Sequence, residues 1–192
     1  MTGPMPQRTL RTKRITLVPL ADEHFEHEVE LDSDPEVMRY LSGRASTREE
    51  VAAGHRRRIA AAENVDGLGF WVGLVDNEFV GWWNLQPAHG PDQPDDPRVA
   101  DLGYRLLRSY WAKGLASEGA RELVRYGLED VGLARIIAQT LAVNARSRAV
   151  MERIGLTYVR AFPSSETAPV EGVDEGEGEY EMTREQWESR TA

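Results

Sequence analysis

One stretch decides how the rest of the chain is interpreted: Tyr110-Trp111-Ala112-Lys113-Gly114-Leu115-Ala116-Ser117-Glu118. It follows a predicted strand, Val99–Leu106, and opens a predicted helix that runs to about residue 131. The first N–H groups of a helix have no partner within the helix, and they bind phosphate where the side chains before them are small. Gly114, Ala116 and Ser117 are small and Lys113 adds a cation, so the stretch predicts a phosphate-binding turn. An ordinary helix start fits the same residues.

Secondary structure on either side of this turn is predicted to be mixed. Helices are expected at 21–31, from the Asp34-Pro35 cap, from the capping box 46–49 to about residue 63, and between the cap Asn144 and the stop Gly155. Alternation and turn residues predict strands at 15–18, 70–75, 79–85, Val99–Leu106, Arg135–Leu141, 158–162 and 179–183. This order predicts an α/β fold with helices on both faces of one mixed sheet. The length of 192 residues fits a single domain over 1–192, with residues 1–9 expected to be flexible.

The overall charge argues against two classes of partner. The formal net charge is −9, from 32 acidic and 23 basic residues, whereas proteins that bind nucleic acid or anionic membranes present basic surfaces. No apolar run approaches the ~18 residues of a membrane span. Residues 1–14 lack the apolar core of a secretory signal, so a cytoplasmic protein is expected. The absence of cysteine excludes thiolate metal sites and an acyl-cysteine intermediate, and no metal site is predicted.

Most of the net charge lies in one late segment. Residues 163–178 are predicted to be an acidic loop that leads into the last strand. Two interpretations stay open at this point: a solvated flexible loop, or an acidic flap that attracts a cationic substrate. Between 163 and 181 there is no basic residue, and the acidic ones are Glu166, Glu171, Asp174, Glu175, Glu177, Glu179 and Glu181.

Six pieces of the sequence, taken in order, resemble the GNAT superfamily of acyl-CoA-dependent N-acetyltransferases, and within it the RimJ/RimL-type branch. The resemblance implies the GNAT fold, with a mixed, mostly antiparallel sheet of seven strands. Trp111 stands where the superfamily's pyrophosphate motif begins with Arg or Gln, but this branch often has tryptophan there. The pieces are 10–17, 33–38, 101–106, 110–118, 144–148 with 154–156, and 182–187.

The resemblance also implies where acetyl-CoA would lie. The strands Val99–Leu106 and Arg135–Leu141 would splay apart to admit the pantetheine arm, as if a strand were missing. Asn144 would bond the pantetheine amides, and Arg148 would reach the nucleotide end. The arm would run along Leu106, Leu107 and Arg108, and the pyrophosphate would rest on Lys113, Gly114, Leu115, Ala116 and Ser117.

Two residues are candidates for catalysis. Without cysteine, direct attack of a neutral amine on the thioester is the simpler route. Asp101 is the candidate base because acids at this position serve some relatives, although a carboxyl of pKa ~3.9 would need burial or a water to act. Ser147 is the candidate acid for the leaving thiolate. Each has an ordinary structural alternative: a polar residue on a solvated strand face, and a serine that satisfies a helix backbone.

Other polar and aromatic residues carry weaker expectations. Trp82 and Trp83 should project to opposite faces of their strand, so that one is core and the other can line a pocket. Trp82 with Asn84 is a candidate wall for the amine substrate, and the opposite assignment, with Trp82 in the core, stays open. His55 stands among Arg56-Arg57-Arg58 and is interpreted as part of a solvated helix face.

The expected activity is an acetyl-CoA-dependent N-acetyltransferase acting on a primary amine, either a protein N-terminus or a small molecule. Alternatives are a transferase of a larger acyl group such as succinyl, and a CoA-binding sensor without turnover. A nucleotide-binding protein is disfavoured, because neither G-x-x-x-x-G-K-[ST] nor G-x-G-x-x-G is present at the turn. The sequence leaves open whether the protein is a monomer or a homodimer, although the family often pairs.

Overall fold

A computed structural model describes residues 5–63, 65–90, 92–165 and 169–191 of the chain. They form one mixed sheet of eight strands in the order β1-β2-β3-β4-β5-β6-β8-β7. The strands are β1 Leu10–Arg11, β2 Thr16–Pro19, β3 Gly69–Val75, β4 Glu78–Pro87, β5 Val99–Leu106, β6 Arg135–Leu141, β7 Thr157–Phe162 and β8 Glu177–Thr183. The fold class is as predicted, but the number of strands is eight and not seven. The additional strand, β1, has only two residues, too few for an alternating pattern to be recognised.

Helices cover both faces of the sheet. They are α1 Phe25–Asp32, α2 Pro35–Met38, α3 Arg48–Glu63, α4 Leu115–Arg125, α5 Ala145–Arg153 and α6 Arg184–Thr191. The helix predicted to continue to residue 131 does so, but its last part is the π-helix Tyr126–Val131, which Gly132 ends with a φ of 90°. Helix α6 was not among the sequence predictions. No described helix is long and apolar enough to cross a membrane.

The pairing between β5 and β6 is short. They are the only parallel neighbours among the described strands, and their register covers Val99–Arg135 to Asp101–Ile137. Beyond Asp101 the two strands continue without pairing, to Leu106 and Leu141. The predicted separation of these strands is therefore present, and it leaves a wedge in the middle of the sheet.

Trp83 fixes the position of α4 against the sheet. Its side chain is fully buried, and its Nε1 donates a hydrogen bond to the carbonyl oxygen of Ala116 at 3.1 Å. A Cβ atom on Gly119 would lie only 2.5 Å from the Trp83 ring, so glycine is what allows this close approach. The first turn of α4 is consequently held beside the end of β5.

Helices α1 and α3 pack through buried charges. His55 of α3 is only 6% exposed and contacts the fully buried carboxylate of Glu28, which also pairs with Arg58 at 2.5 Å. The prediction that His55 lies on a solvated face was wrong. The neighbouring arginines make the segment polar, and a pattern of polar residues does not show which of them form buried ion pairs.

The chain before β1 lies along the sheet from Met5 onward, while residues 1–4 lie outside the described residues. Gln7 Nε2 donates to the carbonyl oxygen of Phe70 at 2.6 Å, and Trp71 Nε1 donates to that of Arg8 at 2.7 Å. These bonds attach residues 7 and 8 to β3. The flexibility expected of residues 1–9 stays a prediction.

Candidate active site

A cavity of about 820 Å³ opens from the wedge between β5 and β6. Its walls come from the end of β5, the turn before α4, the ends of β6 and α5, and helix α2. The sequence-predicted residues in its lining are Trp82, Leu106, Gly114, Leu115, Ala116, Ser117, Asn144 and Ser147. Those that do not line it are Asn84, Asp101, Leu107, Arg108, Lys113 and Arg148.

The turn before α4 leaves the helix N-terminus open to this cavity. Gly114 is the N-cap residue with a φ of 78°, and no side chain caps the helix. A Cβ atom built on Gly114 would meet only Arg14 Nη2, at 3.5 Å, so the space in front of the first turn is open. The Ser117 hydroxyl is buried without a hydrogen-bond partner among the described residues. Free helix N–H groups together with an unpaired hydroxyl suit an anionic, oxygen-rich group.

Cationic side chains surround this turn. Arg14 Nη1 donates to the carbonyl oxygen of Lys113 at 2.9 Å, and the same guanidinium pairs with Glu118 at 2.7 Å. Lys113 is exposed, with its Nζ 5.0 Å from the ring centroid of Tyr110. Arg14 was not predicted to belong here, because about a hundred residues separate it from the turn in the sequence. The sequence did hold one indication, because Arg14 lies in the segment 10–17, one of the six that resemble the GNAT superfamily.

Arg146, and not Arg148, faces the turn from α5. Its guanidinium carbon lies 4.6 Å from the ring centroid of Trp111, and its side chain lines the cavity. Arg148 instead donates to the hydroxyl of Tyr180 at 3.1 Å and to the carbonyl oxygen of Ala142 at 3.1 Å. Residues two apart on a helix do not share a face, so only one of the two arginines can face the cavity.

Two residues predicted to lie along the pantetheine arm point elsewhere. Leu107 follows the end of β5, and its N–H donates to the carbonyl oxygen of Val80 at 3.0 Å. The Arg108 guanidinium is exposed and pairs with Asp34, the cap of α2, at 3.1 Å. Neither side chain belongs to the cavity wall.

Ser147 lies in a hydrogen-bonded pair with Tyr104. The two hydroxyl oxygens are 3.1 Å apart, and the Tyr104 hydroxyl also donates to the carbonyl oxygen of Ser147 at 3.0 Å. Asn144 accepts the Ser147 N–H at 3.2 Å and so caps α5. Burial raises the pKa of Tyr104 above its usual range. Tyr104 was missed as a site residue, although alternation along β5 places it on the same face as Leu102 and Leu106.

Asp101 lies at the last paired position before β5 and β6 separate, opposite Ile137. Burial raises the pKa of its carboxyl from 3.8 to about 7, and the nearby charge of Glu179 acts in the same direction. Asn84 is buried behind it and donates to the Asp101 carbonyl oxygen at 3.2 Å. Strand alternation puts the Asp101 side chain on the face opposite Tyr104. The Ser147 side chain therefore lines the cavity, whereas the Asp101 carboxyl lies outside the cavity lining and would reach a substrate there only through a water.

Trp82 and Glu177 of the acidic loop also line the cavity. Trp82 is 7% exposed and lies on the sheet face opposite Trp83, as the alternation predicted. Glu177 lines the cavity and accepts the Ser164 hydroxyl at 2.6 Å. Glu171 holds the loop to Arg39 through two bonds of 2.7 and 2.8 Å. Glu166 lies outside the described residues.

A metal centre has no support in the described part of the chain, where no group of three or more His, Cys, Asp or Glu side chains is placed to hold an ion.

Comparisons with known proteins agree with this geometry. The family model described as "Acetyltransferase (GNAT) domain" matches residues 14–157. The "FsC-acetyl coenzyme A-N(2)-transacetylase" of Aspergillus fumigatus is 44% identical over 184 residues, which cover 94% of this chain and 78% of that protein. Two solved structures show the same fold at low identity. RimL, a ribosomal L7/L12 alpha-N-protein acetyltransferase in complex with coenzyme A, has a TM-score of 0.77 at 16% identity, covering 93% of this chain and 99% of that one. The aminoglycoside acetyltransferase AAC(6')-Ib in complex with coenzyme A has 0.76 at 17% identity, with the same coverages.

Proposed function

Because this chain belongs to the GNAT family of acetyltransferases, we propose that it transfers the acetyl group of acetyl-CoA to a primary amine by direct attack in a ternary complex. The chain is an acyltransferase, and N-acetyl transfer from acetyl-CoA is the activity of its family and of its Aspergillus relative by name. The observation that carries the proposal is the unpaired, buried Ser117 hydroxyl beside an uncapped helix N-terminus, at the mouth of a wedge between two strands.

These residues suit the coenzyme. The first N–H groups of α4 and the Ser117 hydroxyl would hold the pyrophosphate, with Lys113, Arg14 and Arg146 supplying positive charge around it. The pantetheine arm would enter the wedge beyond Asp101, where unpaired strand edges offer backbone groups. The Nδ2 group of Asn144 would donate to a pantetheine carbonyl, since its Oδ1 is used as the helix cap.

The environments of Asp101 and Ser147 support the proposed base and acid roles. A carboxyl with a pKa of about 7 is about half ionised at neutral pH and accepts a proton from an attacking amine. As the new C–N bond forms and the C–S bond breaks, that proton would pass to Asp101 through a water, because the Asp101 carboxyl does not line the cavity. The departing sulfur would take a proton from the Ser147 hydroxyl, which Tyr104 holds in place. Water would then return the proton from Asp101 to Ser147, which restores both groups for the next turnover. This assigns Ser147 as the acid, Asp101 as the base and Tyr104 as a positioning residue.

The amine substrate would bind between Trp82 and Glu177. The carboxylate of Glu177 and the acidic loop attract a cationic amine to this end of the cavity. An α-amine, with a pKa of about 7.7–8.0, needs far less help from a base than a lysine amine at about 10.4. The name of the Aspergillus relative specifies an N(2) nitrogen as its site of transfer, which supports an amine of this kind. Membership of the RimJ/RimL-type branch and the cytoplasmic location stay predictions, and the choice between monomer and homodimer stays open.

The test is release of free CoA thiol from acetyl-CoA across a panel of peptides and small amines. We expect release that depends on both substrates and a product that carries an acetyl amide by mass spectrometry. Thiol release from succinyl-CoA but not from acetyl-CoA would show that the protein transfers a succinyl group and not an acetyl group. Saturable binding of acetyl-CoA with no release for any amine of the panel would contradict transfer and favour a CoA-binding sensor.

A further inference from the structure

Two hydrogen-bond donors on neighbouring residues of the cavity wall have no acceptor among the described residues. They are Nε1 of Trp82 and Nε of Arg105, both buried and both without a partner in the described ranges. The two residues are cross-strand partners on β4 and β5, both line the cavity, and the guanidinium carbon is 4.8 Å from the indole ring centroid. Buried donors are nearly always satisfied, so an adjacent unsatisfied pair in a cavity wall points to an oxygen that the bound substrate supplies.

The Arg105 guanidinium is not free to turn toward another partner. Its Nη1 donates to Asp32 of α1 at 2.6 Å, and Asp32 is itself buried. The Arg58 guanidinium carbon also lies 5.3 Å from the Trp82 ring centroid, and Arg58 is held by Glu28. The indole therefore contacts two guanidinium groups that buried carboxylates hold in place. This arrangement keeps the unpaired donors where they are when no substrate is present.

The charge around this pair favours an uncharged oxygen. Two buried carboxylates, Glu28 and Asp32, already balance the two guanidinium groups of Arg58 and Arg105. His55 is the remaining member of the cluster, and its Nε2 pairs with a further carboxylate, that of Asp22. A carboxylate from the substrate would therefore add an unbalanced charge. A carbonyl oxygen would satisfy the same donors without that cost.

We propose that Trp82 and Arg105 form a subsite for a carbonyl oxygen next to the reacting amine. This inference rests on the proposed function and narrows its substrate class to α-amino amides and esters, which includes the first residue of a peptide. Glu177 would attract the ammonium form of such a compound to this end of the cavity, while the subsite orients the group beside it. Simple alkylamines lack the oxygen and leave both donors unpaired.

The experiment compares two amines of similar shape, alaninamide and 2-aminobutane, of which only alaninamide has the carbonyl group. Values of kcat/KM from free-thiol release at saturating acetyl-CoA are measured for the wild type, Trp82→Phe and Arg105→Lys. Trp82→Phe keeps an aromatic ring without a donor, and Arg105→Lys keeps a cation for Asp32 without Nε. Each variant should lower kcat/KM for alaninamide about tenfold more than for 2-aminobutane. The ratio cancels losses from folding and the different amine pKa values.

Trp71→Phe is the matched control, because Trp71 is also a buried indole, but its Nε1 donates to the carbonyl oxygen of Arg8 and it does not line the cavity. Its substrate ratio should equal that of the wild type. Equal losses for both amines in Trp82→Phe and Arg105→Lys would overturn the subsite and leave the proposed function standing. A higher kcat/KM of the wild type for alanine than for alaninamide would show that the subsite accepts a carboxylate, and would overturn the proposal of an uncharged oxygen. Absence of thiol release with every amine tested would overturn the proposed function and this inference together.

Discussion

The indole nitrogen of Trp111 donates a hydrogen bond to the carbonyl oxygen of Leu106 at 2.9 Å. This bond joins the start of the turn before α4 to the last residue of β5. It therefore fixes the distance between the helix N-terminus and the strand edge, the two places where the ends of one coenzyme molecule would be held. Tryptophan at this position supplies a donor and an apolar surface, on which the Arg146 guanidinium also stacks.

Replacement of Trp111 by phenylalanine should weaken acetyl-CoA binding more than it slows the chemical step. Loss of one hydrogen bond is worth about 1 kcal/mol, or roughly fivefold in an equilibrium constant. We expect KM for acetyl-CoA to rise by about that factor or more, with kcat within a factor of two. Steady-state kinetics at saturating amine measure both. A fall in kcat with an unchanged KM would contradict this role for the indole.

Gly114→Glu should abolish acetyl-CoA binding, because it puts a carboxylate in front of the N–H groups that would hold the pyrophosphate. The strain of a side chain at a φ of 78° adds a loss of stability of roughly 1–2 kcal/mol. Gly132→Glu is the matched control, since Gly132 has a φ of 90° and does not line the cavity. Calorimetric titration should show binding only to the control. Equal affinity in two folded variants would count against the site.

Local signals in the sequence predicted the parts of the fold that depend on neighbouring residues. Asp34 caps α2 by accepting the Glu36 N–H, Asn144 caps α5, and Gly155 takes the left-handed conformation that ends that helix region. Each of these features depends on a few consecutive residues and on elementary backbone geometry. The turn at Gly114 was found for the same reason.

Contacts between segments that are far apart in the sequence could not be predicted from neighbouring residues. The bonds of Arg14 to Lys113 and Glu118 connect residues about a hundred apart, and the burial of His55 depends on a carboxylate from another helix. To decide which of Arg146 and Arg148 faces the cavity, one must know which face of α5 is turned toward it. The few apolar residues of this short polar helix do not define that orientation. Pairing across the fold, and not local propensity, determines these contacts.

Ser147→Ala should lower kcat by about tenfold or more and leave KM for acetyl-CoA nearly unchanged, since in the proposed mechanism the hydroxyl protonates the departing sulfur and takes no part in binding. Tyr104→Phe should give a smaller loss of the same kind, because the phenol positions Ser147. If they act as one unit, the double variant should be no slower than Ser147→Ala alone. Multiplied losses in the double variant would show that the two hydroxyls act separately.

Glu177→Gln should raise KM for a cationic amine by several fold at low salt, and less at high salt, where exposed charges are screened within about 10 Å at 0.1 M. Glu175→Gln removes the same charge from the same loop, but Glu175 does not line the cavity. A small or absent effect of that control would place the attraction at Glu177. Equal effects of both variants would assign the attraction to the loop as a whole. If neither variant had an effect, the acidic loop would be a solvated segment without a role in binding the amine.

The raised pKa of Asp101 predicts opposite effects of pH on activity and on stability. As a base with a pKa of about 7, the carboxyl must be ionised, so kcat should fall as the pH drops below 7, and Asp101→Asn should remove this limb together with most of the rate. Profiles of kcat against pH for the two proteins measure this effect. If kcat of Asp101→Asn still fell as the pH dropped below 7, the base would be another group.

Stability should change in the other direction. The folded pKa lies above the unfolded value of about 3.9, so between pH 4 and 7 the folded state binds more protons than the unfolded state. The free energy of unfolding of the wild type should therefore decrease as the pH rises through this window, by roughly 4 kcal/mol at most. Asp101→Asn cannot ionise and should lack this decrease, so it should be the more stable protein at pH 8. Urea unfolding at pH 4 and pH 8 tests the sign, and a variant that is less stable than the wild type by the same amount at both pH values would contradict a carboxyl that burial keeps protonated.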